Sequence, residues 1–348
     1  VTSRIVGVGT AVPPHVVRQS DARSVARDLF SEHHADIDRL LPVFDHAGVE
    51  RRHFCVPVEW FARPHTIGER HRCYVEAAMA LSVEAARRAL DDAGVEAGSL
   101  DALFFVSSTG MATPSLDARL VQELGCPPTT RRDATFGHGC AGGVGGLARA
   151  ARHAAGDPGS VVLLVATELC SLTFQGDDWS KANFVSTSLF ADGAAAVVVS
   201  TEGEGPEIVA DGCVLWAGTE DVMGWEFTDR GMDVVLSRNV PSLVRSHLAE
   251  SVVAVLGPLG VGLDDLAHHV VHPGGAKVLD AIEAVLPLGR DGVRWSRQVL
   301  RDHGNMSAPT ALFVLRSFLD SAETHRGEFG LLSAMGPGFA AEHVVFRC

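Results

Sequence analysis

The chain alternates between two hydrophobic periodicities. "SRIVGVGTAVPP" (3–14) opens with a short apolar run closed by two prolines, the pattern of a buried strand. "YVEAAMALSVEAARRALDDAG" (74–94) spaces Ala, Leu and Val at helical intervals and stops at a glycine. "LDALFFVSSTG" (100–110) returns to strand character. "SVVLLVATE" and "GAAAVVVS" are near-continuous valine-rich runs, as expected of strands covered on both faces. Helix and strand signals alternate to the end, which predicts an α/β fold.

Two passages in the second half echo the first in the same order. "GVEAGSLDALFFVSSTG" (94–110) is matched by "GVGLDDLAHHVVHPGG" (260–275). The segment 138–166, "HGCAGG…VVLLVA", is matched by 303–336, "HGNMSAP…LLSAMG". Each member of the second pair has His-Gly, one polar residue, a helix-like stretch, a glycine and an apolar strand. Chance is the competing explanation for so loose a match. A duplication predicts two halves, 1–203 and 204–348. It makes Cys140 and Asn305 equivalent, each opening a helix after a strand. Two-fold-related halves would place those helices face to face, with both side chains in one cavity and His272 on the adjacent turn.

Cys140 has three readings at this point: a nucleophile, half of a metal site with His138, or a small buried hydrophobe. A helix N-terminus favours a thiolate. The glycines after Cys140 cost about 1 kcal/mol each relative to Ala within a helix, so their concentration needs a packing or functional reason. His272, where a strand breaks at Pro273, could serve as base or imidazolium counter-charge. Asn305 could donate its amide to an oxyanion. The metal reading is weak, because no second ligand pair has suitable spacing. His138 is expected to pack or hydrogen-bond.

Composition narrows the classes. The 348 residues suit two domains or one large two-part domain, and the apolar (46%) and charged (21%) fractions are those of a globular protein. A net charge of −14 argues against nucleic acid as a partner. The seven cysteines form no CxxC, which points away from a disulfide framework and towards a reducing, cytoplasmic setting. Apolar runs are strand-sized, far short of a membrane span, and no secretory signal pattern opens the sequence.

Taken together and in order, "GHGCAGG", "HPGGAKVLD", "GNMSAPTALFVL" and "AMGPGF" resemble the type III polyketide synthases, relatives of chalcone synthase in the thiolase superfamily. The segments 168–197, 222–244 and 48–61 are similar to the bacterial branch that makes alkylresorcinols and alkylpyrones. The resemblance implies a thiolase-like αβαβα fold and a homodimer. It implies iterative condensation of a fatty acyl-CoA starter with malonyl-CoA and then cyclisation, with no metal or resident cofactor. It assigns Cys140 as nucleophile and His272 and Asn305 as enolate stabilisers. It places Ser108, Thr109, Thr113, Cys170, Thr173, Phe190, Val234 and the Gly336–Pro337–Gly338 loop around the substrate, with Thr113 reaching the partner's cavity. Val234 stands where plant relatives carry a gatekeeping Phe, which suits a bulky starter. Cys170 replaces a plant Thr, where it either opens a side tunnel or is an inert wall residue. Arg51 and Arg52 align with a coenzyme A-binding segment. An acyl carrier protein is a second conceivable starter donor. The nearest rival is a single-step ketoacyl-ACP synthase of the initiating kind, and a non-catalytic scaffold is the remaining alternative.

Overall fold

A computed structural model describes residues 1–34, 36–288, 292–321 and 325–348. Its strands are β1 (Ser3–Ala11), β2 (His15–Arg18), β3 (Arg51–Phe54), β4 (Ala102–Val106), β5 (Arg131–Thr135), β6 (Val161–Leu169), β7 (Asp192–Ser200), β8 (Glu207–Leu215), β9 (Met223–Thr228), β10 (Gly231–Leu236), β11 (Leu266–Val271), β12 (Phe329–Gly336) and β13 (Ala340–Arg347).

The main sheet runs β11-β12-β13-β8-β1-β7-β6-β4-β5. It is two sheets joined at a seam of two residue pairs, Ser3 with Ile208 and Arg4 with Glu207. In the first half β4 is parallel to β6, while β6–β7 and β7–β1 are antiparallel. In the second half β11 is parallel to β12, while β12–β13 and β13–β8 are antiparallel. The order β4-β6-β7-β1 is therefore repeated as β11-β12-β13-β8, the duplication that the two sequence echoes announce. Edge strand β5 belongs to the first half alone.

Between the sheets lie two helices, Gly142–Gly156 and Ala308–Asp320, in one core with strand residues of both halves such as Val106, Leu164, Val270 and Leu332. The glycine run explains their closeness. A Cβ at Gly143 would lie 2.2 Å from the Ala308 carbonyl oxygen, so no larger residue fits there. The long helix Ile67–Ala93 covers the outer face of the first half. It starts in a Thr66/Glu69 capping box and ends at Gly94 in the left-handed conformation. Helices Val240–Leu256 and Ala276–Glu283 cover the second half. The result is the expected helix–sheet–helix–sheet–helix layering. No helix among the described residues is long and apolar enough to cross a membrane.

Candidate active site

Cys140 sits in a 3-10 turn, Gly139–Ala141, that leads into the first central helix. Two backbone donors of the turn, Gly137 N–H (3.2 Å) and Gly139 N–H (3.0 Å), both reach the Ser108 hydroxyl oxygen. His138 contributes its carbonyl to the same turn by accepting from Ala141 N–H (3.1 Å).

Asn305 precedes the second central helix and is held by backbone. Its N–H donates to Leu189 O (2.8 Å), and its carbonyl accepts from Ala191 N–H (2.8 Å). Gly304 makes this approach possible: its φ is +71°, and an added Cβ would meet Ala191 and the Leu189 carbonyl at 3.1 Å. The Asn305 Oδ1 accepts from Ser307 N–H (2.8 Å), which leaves Nδ2 as the outward donor, with one long bond to Gly274 O (3.3 Å). Ser307 itself holds φ +59°, a strained setting for a non-glycine residue at the helix start.

His272 follows β11, its N–H bonded to Ser333 O (2.8 Å). Its side chain is buried, and neither ring nitrogen has a hydrogen-bond partner. Cys140, His272, Asn305 and Ser307 line one cavity of about 770 Å³. The Cys140 Sγ lies 4.0 Å from Asn305 Oδ1.

The electrostatics differ from the sequence expectation. Burial pushes the Cys140 thiol up to about 11, and its contacts with Ser307 and Asn305 offset part of that. Burial also pushes the His272 imidazole down to about 3. Burial thus pushes each group towards its neutral form, against the helix end that favours a thiolate.

The remaining predicted residues fall into three groups. Phe190, Val234 and Pro337 line the main cavity. Cys170 and Thr173 line a second, apolar chamber that shares Phe190, Trp225 and Val234 with the first. Ser108 and Thr109 are buried but belong to neither wall; they bind the turn and Glu168 instead. Thr113 is exposed and outside both walls of its own chain. Gly336 ends β12 against the Cys140 turn, where a Cβ would meet the His138 carbonyl at 2.5 Å, and Gly338 faces Leu215.

Arg51 and Arg52 are corrected by the structure. Arg52 is fully buried, donating to the carbonyls of Thr187, Ser188 and Phe190 and to Gln19. Arg51 points to Asp302 (3.5 Å). Neither lines the cavity. The cations at its wall are Arg39, Lys181, Arg238 and Lys277, with His46. All five are exposed, and among the described residues Lys181, Arg238 and Lys277 have no carboxylate partner. Sequence reasoning also missed Ser307, Trp225 and the buried Glu168. No group of three or more His, Cys, Asp or Glu among the described residues is placed to hold a metal ion.

This geometry agrees with the relatives of the chain. Residues 2–203 match the family model "chalcone and stilbene synthases, N-terminal domain", and residues 207–348 match the corresponding C-terminal domain. A putative chalcone synthase of Bacillus subtilis (strain 168) is 39% identical, with 98% of each chain covered. A 1,3,6,8-tetrahydroxynaphthalene synthase of Streptomyces peucetius subsp. caesius is 38% identical, over 99% of this chain and 92% of that one. The crystal structure of the synthase of that name from Streptomyces coelicolor A3(2) superposes with a TM-score of 0.95 at 31% identity, 99% of each chain covered. The chain belongs to the chalcone and stilbene synthase family: it is a type III polyketide synthase, an acyltransferase that extends its substrate by iterative condensation.

Proposed function

We propose that this enzyme loads a fatty acyl starter from coenzyme A onto Cys140, extends it with malonyl-CoA and closes the chain to an alkylpyrone or alkylresorcinol. The observation that carries the chemistry is a buried imidazole with two unpartnered nitrogens, in one cavity with a thiol and an amide donor held by one long bond. The thiol passes its proton to His272 as the sulfur attacks the acyl-CoA carbonyl. The coenzyme A thiolate leaves and takes that proton. Malonyl-CoA then loses carbon dioxide, and the charge left on its thioester oxygen is met by His272 N–H and Asn305 Nδ2–H. A neutral imidazole suits this role, since it remains a donor across the working pH range. The enolate carbon attacks the acyl-Cys140 carbonyl, freeing the thiolate and lengthening the chain by two carbons. The unpaired Lys181, Arg238 and Lys277 at the wall of a protein carrying −14 fit the phosphates of coenzyme A.

The apolar chamber supports the alkyl starter. Beyond Cys170 and Thr173 its walls include Ala22, Ala26 and Phe30 of helix Gln19–Phe30, together with Phe54 and Phe61. It holds about 70 Å³ of free volume. A water needs roughly 10–15 Å³ on this scale, so the space suits about five or six methylene-sized groups. A short-to-medium tail fits without rearrangement, and the longest starters require side-chain movement. We also propose a homodimer, to which exposed Thr113, the edge strand β5 and exposed Phe136 and Phe227 would contribute.

A second reading follows from the names of the relatives: a tetrahydroxynaphthalene carries no alkyl chain. Product mass spectrometry with malonyl-CoA alone and with a ladder of acyl-CoA starters separates the two. Alkylated pyrones or resorcinols that peak at medium chain length support the proposal. Aromatic product from malonyl-CoA alone, indifferent to added starter, sinks it in favour of the second reading.

A further inference from the structure

Glu168, near the end of β6, is fully buried and lines neither cavity. Its Oε2 accepts from Thr109 Oγ1 (2.7 Å), Ser108 N–H (2.9 Å) and, more weakly, Ser107 Oγ (3.4 Å). Tyr74, the one tyrosine of the chain, donates to Ser107 Oγ (2.8 Å). Thr109 Oγ1 in turn accepts from Leu169 N–H (2.8 Å), so the cluster ties the end of β6 to the segment after β4. Ser108 is the hinge of the arrangement. Its N–H is held by Glu168, and its hydroxyl oxygen receives Gly137 N–H and Gly139 N–H from the turn bearing Cys140. The other carboxylate oxygen, Oε1, has no partner. A buried acceptor of this kind normally has one.

We propose that Glu168 is a positioning residue for the nucleophile: through Ser108 it fixes the turn that presents Cys140, and its charge governs how readily the sulfur ionises. The proposal rests on the reading of Cys140 as the nucleophile. Three titratable groups face Glu168: Tyr74 from helix Ile67–Ala93, Cys140 from the turn, and Cys170 beyond β6. Asp192 of β7 acts on Cys170 as well. A negative Glu168 opposes a second negative charge on Cys140, and a neutral one does not. Burial holds the Glu168 carboxyl at about 7, so its charge changes within the working range.

The test is carboxamidomethylation of Cys140 by iodoacetamide, read by peptide mass from pH 6 to 12 on the full chain. Glu168→Gln keeps an acceptor for Ser108 and Thr109 and removes the charge. It is expected to lower the midpoint of the labelling profile by roughly one pH unit, the scale of a like-charge interaction. Ser108→Ala, which frees the two turn amides, is expected to slow labelling several-fold at every pH with the midpoint unmoved. An unchanged midpoint in Glu168→Gln overturns the electrostatic part, and an unchanged rate in Ser108→Ala overturns the positioning part. Should Glu168→Gln not fold, the wild-type profile decides, because a coupled carboxyl adds an inflection near pH 7 and an uncoupled one does not. Condensing activity that survives complete labelling of Cys140 would instead defeat the nucleophile assignment itself.

Discussion

In the half that ends with β7, burial raises two carboxyls, Glu168 to about 7 and Asp192 to about 6, along with the thiols of Cys55, Cys140 and Cys170. In the half that begins with β8, four imidazoles and the Cys348 thiol are strongly shifted. His269, His303 and His343 are lowered to about 4 and His272 to about 3, again by burial. The sheet order repeats, yet the most strongly raised carboxyls lie in the first half and the most strongly lowered imidazoles in the second. The same difference extends to the catalytic side chains. The turn bearing Cys140 is held by side chains of its own half, Ser108 and, through it, Glu168. Asn305 is set by backbone bonds to Leu189 and Ala191, which belong to the other half. A symmetric frame therefore carries an asymmetric site: in the proposed mechanism the nucleophile comes from the first half and both enolate donors from the second.

The largest effect that would sharpen this division is catalytic. Asn305→Ala removes one of two donors to the enolate oxygen and is expected to slow malonyl-CoA decarboxylation by 10²–10³-fold, about 3–4 kcal/mol. Acyl loading on Cys140 should persist in that variant. Radiolabelled malonyl-CoA and intact-protein mass measure the two steps separately, and equal loss of both would break the division.

A smaller effect concerns pH. An imidazole whose folded value lies below its unfolded value of 6.5 binds fewer protons folded than unfolded, so stability falls as pH drops below about 6.5. For wholly buried His272 and His343 the loss at pH 5 is about 2 kcal/mol each, from 1.36 kcal/mol per unit. Glu168 and Asp192 act in the opposite sense. Their folded values are raised, so their contribution is full at low pH and is lost as pH rises towards 7 and 6. Hydrogen exchange, corrected for intrinsic rates, should show β11–β13 losing protection between pH 7 and 5 while β6 and β7 hold or gain. Uniform loss across both halves would contradict the comparison.

Much of the frame is legible in the sequence because it depends on periodicity. The valine-rich runs, the Gly94 stop and the two echoes each report local pattern, and the sheet order repeats as they require. The glycine run after Cys140 is legible as a close approach, although its partner, the Ala308 carbonyl, is not. The residues that escaped are those assembled from distant segments. Lys181, Arg238 and Lys277 meet at one cavity wall from three parts of the chain, with no cluster in sequence to mark them. "ERR" offered a basic pair, but strand β3 turns Arg52 inward to three carbonyls. Glu168 reads as one acid at the end of a buried strand, and its link to the nucleophile passes through Ser108, sixty residues earlier. The opposing pull on Cys140 escaped for a related reason: sequence shows the helix start but not the burial that raises the thiol.

The central claim is that Cys140 accepts the acyl group. The most direct measurement is intact and peptide mass spectrometry of the enzyme after incubation with a medium-chain acyl-CoA in the absence of malonyl-CoA. The account predicts one acyl thioester per chain, mapped to the Cys140 peptide, absent from Cys140→Ala and discharged when malonyl-CoA is added. An adduct on Cys170 instead, or loading that persists in Cys140→Ala, would contradict it.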